Sequence, residues 1–213
     1  MSRSELLEPI LKLAPVIPVL IVEDVVSAVS LARALEAGGL LVIEITLRSG
    51  AALDAIAAVA GEVEGAVVGA GTVLSKGQLI SSEKAGARFA VAPGVSPHLL
   101  SAAEDSGIAF LPGAATASEA MTLMDHGYPV QKFFPAIPAG GLAYLKALAS
   151  PLPAIKFCPT GGIDAGNAAD FLALPNVICV GGSWVAPADA VGAGDWARIE
   201  ALARVASGLG RRP

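Results

Sequence analysis

Eight short apolar runs recur along the chain at intervals of roughly 20 to 26 residues, and this rhythm restricts the fold more than any other feature. They read "VIPVLIV", "LLVIEITL", "AVVGAGT", "RFAVAPG", "IAFLPG", "PVQKFF", "AIKFCPT" and "VICVGG". Between them lie helix-like segments such as "VVSAVSLARALEAGG" and "TASEAMTLMDHG", each ending on glycine, where a left-handed C-terminal cap is wanted. Strands that alternate with helices imply a parallel sheet. No linker, low-complexity tract or compositional break interrupts residues 1–213, so one domain is expected. Eight such units in 213 residues predict an α/β protein, a compact single-domain (β/α)8 TIM barrel. The opening "MSRSELLEPILKLAP" carries Glu5 and Glu8 among its leucines and predicts an amphipathic N-terminal helix. An open doubly wound sheet is the alternative, but no GxGxxG follows the first strand and the repeat continues evenly to the end.

A hydrophobic content of 54% raises the question of membrane spans. The longest uncharged run, between Asp170 and Asp189, is broken by Pro175, by Gly181-Gly182 and by Pro187, so it reads as loops and a strand. The N-terminal stretch lacks the cationic head and clean apolar run of a signal peptide, and a cytoplasmic protein without membrane contact is expected. Lys and Arg total 14 against 19 Asp and Glu, a net charge of -5, which offers no basic surface to nucleic acid. Cys158 and Cys179 sit in apolar runs without metal-ligand spacing, far in sequence from His98 and His126, and read as buried reduced thiols; no metal and no cofactor are expected.

One charge in these runs demands an explanation. "PVQKFFPA" sets Lys132 among apolar neighbours, where an ammonium must find a carboxylate, reach water or give up its proton. Giving up the proton makes it a nucleophile. Alternate strand residues point inward in a barrel, and catalysis gathers at the C-terminal mouth. In "LLVIEITLR" this places Glu44, Thr46 and Arg48 on one face and Ile43, Ile45 and Leu47 on the other. The polar set climbs the interior, carboxylate below and guanidinium at the rim. The same parity puts Lys132 inward with Val130 and Phe134, and Phe134 becomes an apolar wall for the amine. A purely structural Lys132–Glu44 ion pair is the competing reading. Lys12, Lys76, Lys84 and Lys146 fall in helices or loops, and Lys156 lies four residues before Thr160, toward the opposite end of its strand. "PTGGI" and "GGSW" follow the seventh and eighth strands, where TIM barrels build phosphate sites.

With "VIEITLR", "GAGTVL", "KFFPA", "FCPTGGI" and "GGSWV" in this order, nearly the whole chain resembles the class I 2-keto-3-deoxy-6-phosphogluconate (KDPG) aldolase family. That family also includes enzymes cleaving 4-hydroxy-2-oxoglutarate (KHG) and phosphogalactonate analogues. The resemblance implies a metal-free TIM barrel, a homotrimer, acting on a small phosphorylated keto acid. It makes Lys132 the Schiff-base lysine and Glu44 the general acid/base. Arg48 and Thr72 would hold the pyruvate carboxylate, Phe134 would pack on the imine, and Thr160 would meet the aldehyde half. Gly161, Gly162, Gly181, Gly182 and Ser183 correspond to the phosphate-binding ends. There are two departures from the pattern: Ile21 and Val22 stand where some relatives carry an arginine, and Ile137 where many carry an acid.

The implied reaction is cleavage of KDPG to pyruvate and glyceraldehyde 3-phosphate. An amine attacks the 2-keto carbon, water leaves, and the iminium accepts the electrons of the breaking C3–C4 bond. Two rivals keep the phosphate ends. In a phosphosugar isomerase or epimerase Glu44 would be a direct carbon base; in a non-catalytic phospho-ligand-binding barrel the Lys132–Glu44 pair would be structural.

Overall fold

The computed structural model describes residues 3–210 as an α/β fold. Its strands are β1 (Val16–Leu20), β2 (Val42–Thr46), β3 (Val67–Gly71), β4 (Phe89–Val91), β5 (Ala109–Leu111), β6 (Gly113–Ala114), β7 (Val130–Phe133), β8 (Lys156–Pro159) and β9 (Val180–Gly182). Its helices are α1 (Arg3–Leu11), α2 (Val25–Ala37), α3 (Ala52–Glu62), α4 (Lys76–Lys84), α5 (Pro97–Asp105), α6 (Ala117–Asp125), α7 (Gly141–Leu148), α8 (Ala168–Leu172), α9 (Ala188–Ala193) and α10 (Trp196–Ser207).

All strand pairs are parallel. Six strands form one sheet in the order β5-β4-β3-β2-β1-β9, and β6-β7-β8 form a second. The sheets divide at Pro112, which has no N–H to continue a ladder, although its carbonyl still accepts from Lys132 N at 2.8 Å. Isolated bridges, Phe157 to Val177 and Thr160 to Gly181, run between the β8 segment and the β9 segment.

Local chemistry starts and stops the helices. Asp24 accepts from Ser27 N to cap α2, and Ser96 accepts from Leu99 N to cap α5, whose first residue is Pro97. Thr116 and Glu119 make a reciprocal capping box on α6. Gly39 and Gly127 take φ of 90° and 82° just past α2 and α6, the left-handed ends the sequence predicts.

Two apolar layers position the polar residues. The outer faces of the strands pack on the helices through residues such as Ile43, Ile45, Val68, Phe133 and Phe157. On the inner faces Ile17, Val42, Phe89, Leu111, Val130, Cys158 and Cys179 meet Leu7 and Leu11 of α1. Ile17, Val42, Phe89 and Val130 lie at or next to the N-terminal ends of their strands, so α1 backs that end. Glu44 and Lys132 come two residues after Val42 and Val130, hence on the same faces and one layer nearer the C-terminal ends.

Candidate active site

Glu44 and Lys132 reach each other from the two sheets. Lys132 Nζ lies 3.3 Å from Glu44 Oε1, and the residues are 5% and 3% exposed. Each charge costs several kcal/mol to desolvate, roughly, so only a close partner holds either one in this place. The Lys132 amine also lies 5.4 Å from the centroid of the Phe134 ring. Phe134 directly follows β7 and is joined to Pro135 by a cis peptide bond.

The neighbouring glycine is a matter of space. Gly71 pairs with Thr46 across the β2–β3 ladder, and a Cβ there would overlap Glu44 Oε1. The carboxylate occupies the room that a side chain would take. Thr72, the next residue, is half-buried with φ of 57°, a backbone conformation that costs a β-branched residue of order 1–3 kcal/mol.

Thr160 follows β8, is buried, and bears on Gly181, where its Oγ1 fills the space of the missing Cβ. Gly161 and Gly162 have φ of 100° and 80°, and carbonyls of Thr160 and Gly161 accept from Ala136 N and Ile137 N. The loop after β8 is thereby tied to the loop after β7. A Cβ on Gly161 would sit 3.3 Å from the Phe134 ring. Gly181 and Gly182 differ from a turn: they are buried strand residues paired with Ile17 and Pro18, and the Trp184 ring covers Gly182. The helices after these glycine pairs, α8 and α9, are only five and six residues long.

Arg48 and Ser183 stand apart from the buried pair. Both are exposed and line an open cleft of about 830 Å³ beside the ends of β1 and β9, with Ile21, Glu23, Asp24 and Trp184. Lys132 and Glu44 do not line it. Arg48 lies two residues past β2, in a turn closed by Arg48 N donating to Thr46 O at 2.8 Å. Its Nε donates to Thr46 Oγ1 at 3.1 Å, and among the described residues no carboxylate pairs with it. The sequence set Thr46 on the face of Glu44 and Arg48 but gave it no task; its spacing midway between them was the available signal.

The other chemistry-bearing residues behave as packing. Cys158 and Cys179 are free and buried, and hydrogen bonding to Cys158, together with burial, pushes the Cys179 thiol well above its ordinary range. Lys156 begins β8 and donates to Pro175 O at 2.9 Å, away from the Lys132 amine. Among the described residues no group of three or more His, Cys, Asp or Glu side chains converges, and no helix is long and apolar enough to cross a membrane.

A profile of the aldolase family described as KDPG and KHG aldolase matches residues 7–202. The chain belongs to that family. It is 54% identical over 192 residues to the 2-dehydro-3-deoxy-phosphogluconate aldolase of Pseudoalteromonas atlantica, covering 90% of this chain and 89% of the relative. It is 51% identical to the KHG/KDPG aldolase of Escherichia coli K12, covering 93% of each. In three dimensions it resembles the KDPG aldolase of Legionella pneumophila, solved with pyruvate captured at low pH as a covalent carbinolamine intermediate. The TM-score is 0.92 at 43% identity, over 94% of this chain and 98% of that one. Membership of the KDPG and KHG aldolase family makes the protein a lyase.

Proposed function

We propose that this member of the KDPG and KHG aldolase family is a class I, metal-independent aldolase that forms a Schiff base on Lys132 and cleaves KDPG to pyruvate and glyceraldehyde 3-phosphate. The observation that carries the reading is a buried amine 3.3 Å from a buried carboxylate and 5.4 Å from an aromatic ring centroid. Neutral Lys132 attacks the 2-keto carbon, and Glu44 moves the protons that turn the carbinolamine into an iminium and water. As C3–C4 breaks, Glu44 takes the C4 hydroxyl proton, the aldehyde leaves and the bond's electrons form an enamine; protonation of that enamine at C3 and attack of water on the resulting iminium release pyruvate and free Lys132. Arg48 and Thr72 grip the keto acid carboxylate; Phe134 walls the imine, and Thr160 meets the aldehyde half. Gly161, Gly162, Gly181, Gly182 and Ser183 form the phosphate end. A structural ion pair alone accounts for neither the unpaired guanidinium at the cleft nor the aromatic wall.

In the same reading the two sheets are one closed eight-stranded barrel, supported by the bridges beside β8 and β9, the Lys132 N to Pro112 O bond and the shared inner layer. Residues 1–213 act as one domain. A homotrimer, as the family resemblance implies, belongs to the same reading, and two free cysteines fit a reducing, cytoplasmic setting.

Borohydride added with pyruvate tests the chemistry. Mass spectrometry is expected to find a reduced three-carbon adduct on Lys132, and Lys132→Arg should abolish it, since a guanidinium stays protonated. An adduct on Lys156, or none, overturns the reading and leaves the isomerase or ligand-binding alternatives. Cleavage of KHG is the second reading, favoured by a cleft whose lining holds Glu23 and Asp24 but no cation besides Arg48. Comparing kcat/KM for the two acids decides between them.

A further inference from the structure

We propose that Thr46 is a positioning residue for Arg48, and that it fixes which edge of the guanidinium meets the keto acid. The inference rests on the reading of Arg48 as the carboxylate anchor. A threonine hydroxyl has one proton to give and two lone pairs to offer. In Thr46 the proton is committed: Oγ1 donates to the carbonyl of Leu20, at the end of β1, at 2.8 Å. The rotor is therefore set, and a lone pair faces Arg48 Nε, which donates to the same oxygen at 3.1 Å. Thr46 is 1% exposed, so water does not compete for either bond.

This chain from the β1 carbonyl through the hydroxyl to the guanidinium holds an otherwise exposed, rotamer-rich side chain. Its backbone is held as well. Leu47 N donates to Gly71 O at 2.8 Å, and the Ser49 hydroxyl donates to Val22 O, so the turn is stitched to β3 on one side and β1 on the other. With Nε occupied, the two terminal nitrogens form the edge left for a carboxylate. Four donors remain there, arranged for a bidentate pair. Thr46 itself touches no substrate; it spends no binding group and removes the conformational cost of aiming one.

The test uses the amount of pyruvate that half-saturates borohydride trapping at Lys132, with pyruvamide as a carboxylate-free probe. Thr46→Val keeps the shape and removes the hydroxyl. It should raise the half-saturating pyruvate concentration about tenfold, the scale of a hydrogen bond to a charged group, while changing the value for pyruvamide less than about threefold. Thr46→Ser should rescue most of the loss. Equal losses on both probes would mean a general loosening of the sheet, and no loss on pyruvate would mean that Arg48 needs no positioning; either overturns the proposal. Arg48→Ala separates the two levels. If it raises the pyruvate value and Thr46→Val does not, only the role of Thr46 falls; if it leaves the value unchanged, the carboxylate anchor falls too. The wild-type protein gives an answer even if Thr46→Val does not fold. The Arg48 Nε–H signal, identified by its loss in Arg48→Lys, should exchange with water at least tenfold more slowly than that of free arginine, and exchange at the free rate overturns the proposal.

Discussion

Gly71→Ala isolates the placement of Glu44 from its chemistry. The substitution adds one methyl group in a strand, at a backbone where alanine is free to sit, and leaves every titratable group in place. The new Cβ would lie 2.8 Å from Glu44 Cδ and 2.7 Å from its Cγ, against an ordinary carbon separation of roughly 3.5–4.0 Å. The carboxylate must therefore move by about 1 Å, away from β3 and out of its present relation to Lys132 Nζ. A crowded methyl in a packed interior costs about 1–3 kcal/mol, which a side chain able to swing lowers toward the smaller figure. A displacement of about 1 Å at a catalytic group costs roughly 10²-fold in rate. The expected outcome is a folded protein, with its thermal midpoint lowered by a few degrees, whose kcat for KDPG cleavage falls about 100-fold. Steady-state kinetics beside thermal unfolding would read both numbers. A folded Gly71→Ala protein with kcat within threefold of wild type would show that the position of Glu44 is not tied to its proton transfers.

Three further outcomes follow from the same geometry. Glu44→Gln should slow cleavage by about 10²–10⁴-fold and slow solvent deuterium exchange into pyruvate in parallel, with near-normal turnover excluding an acid/base role. Ser183→Asp should lower kcat/KM for phosphorylated KDPG about tenfold to 10³-fold relative to KHG, the range between like charges about 4 Å apart in water and the same charges near a protein surface, while pyruvate trapping at Lys132 persists; no change in that ratio would remove Ser183 from the phosphate end. The Glu119 carboxyl is held below its ordinary value of 4.5 by the Ala115 N–H, against some opposing burial and with help from Thr116. Because the folded value is the lower one, its stabilisation is complete above about pH 4.5 and is lost as pH falls through the depressed value. Urea midpoints of wild type and Glu119→Gln should differ at pH 7 and converge toward pH 3; a difference that grows on acidification would reverse the sign of this linkage.

Glu44 and Lys132 were legible because a strand with one face against an apolar layer has no freedom of direction. Once Val42 and Val130 turn inward, period two carries Glu44 and Lys132 with them. The same rule loses its force where the strands stop. β2 ends at Thr46 and β7 at Phe133, so Arg48 and Phe134 take their directions from a turn and from neighbouring loops. The apolar runs overstate strand length for the same reason: "VIPVLIV" contributes only Val16–Leu20 to the sheet, and "VICVGG" only Val180–Gly182. At Gly181 and Gly182 no local signal announces the Thr160 side chain and the Trp184 ring that take the space above them. The positive φ of Thr72 is equally silent in the sequence, since a β-branched residue is the last one that local preference would put there.

The candidate site therefore divides between two kinds of support. The amine and the carboxylate stand on β7 and β2, buried above an inner layer that α1 backs from the opposite end. The guanidinium and Ser183 sit on exposed turns around an open cleft, where changes of side chain displace little. Imine chemistry needs positions held to within about half an ångström, which packed strands supply to the buried pair and which an exposed turn alone does not supply to a guanidinium. Thr46 is where the two kinds meet: a buried strand residue, hydrogen-bonded to β1, whose second bond reaches the exposed anchor. In the proposed reading, the Thr46 hydroxyl is the group that keeps the carboxylate grip aligned with the amine.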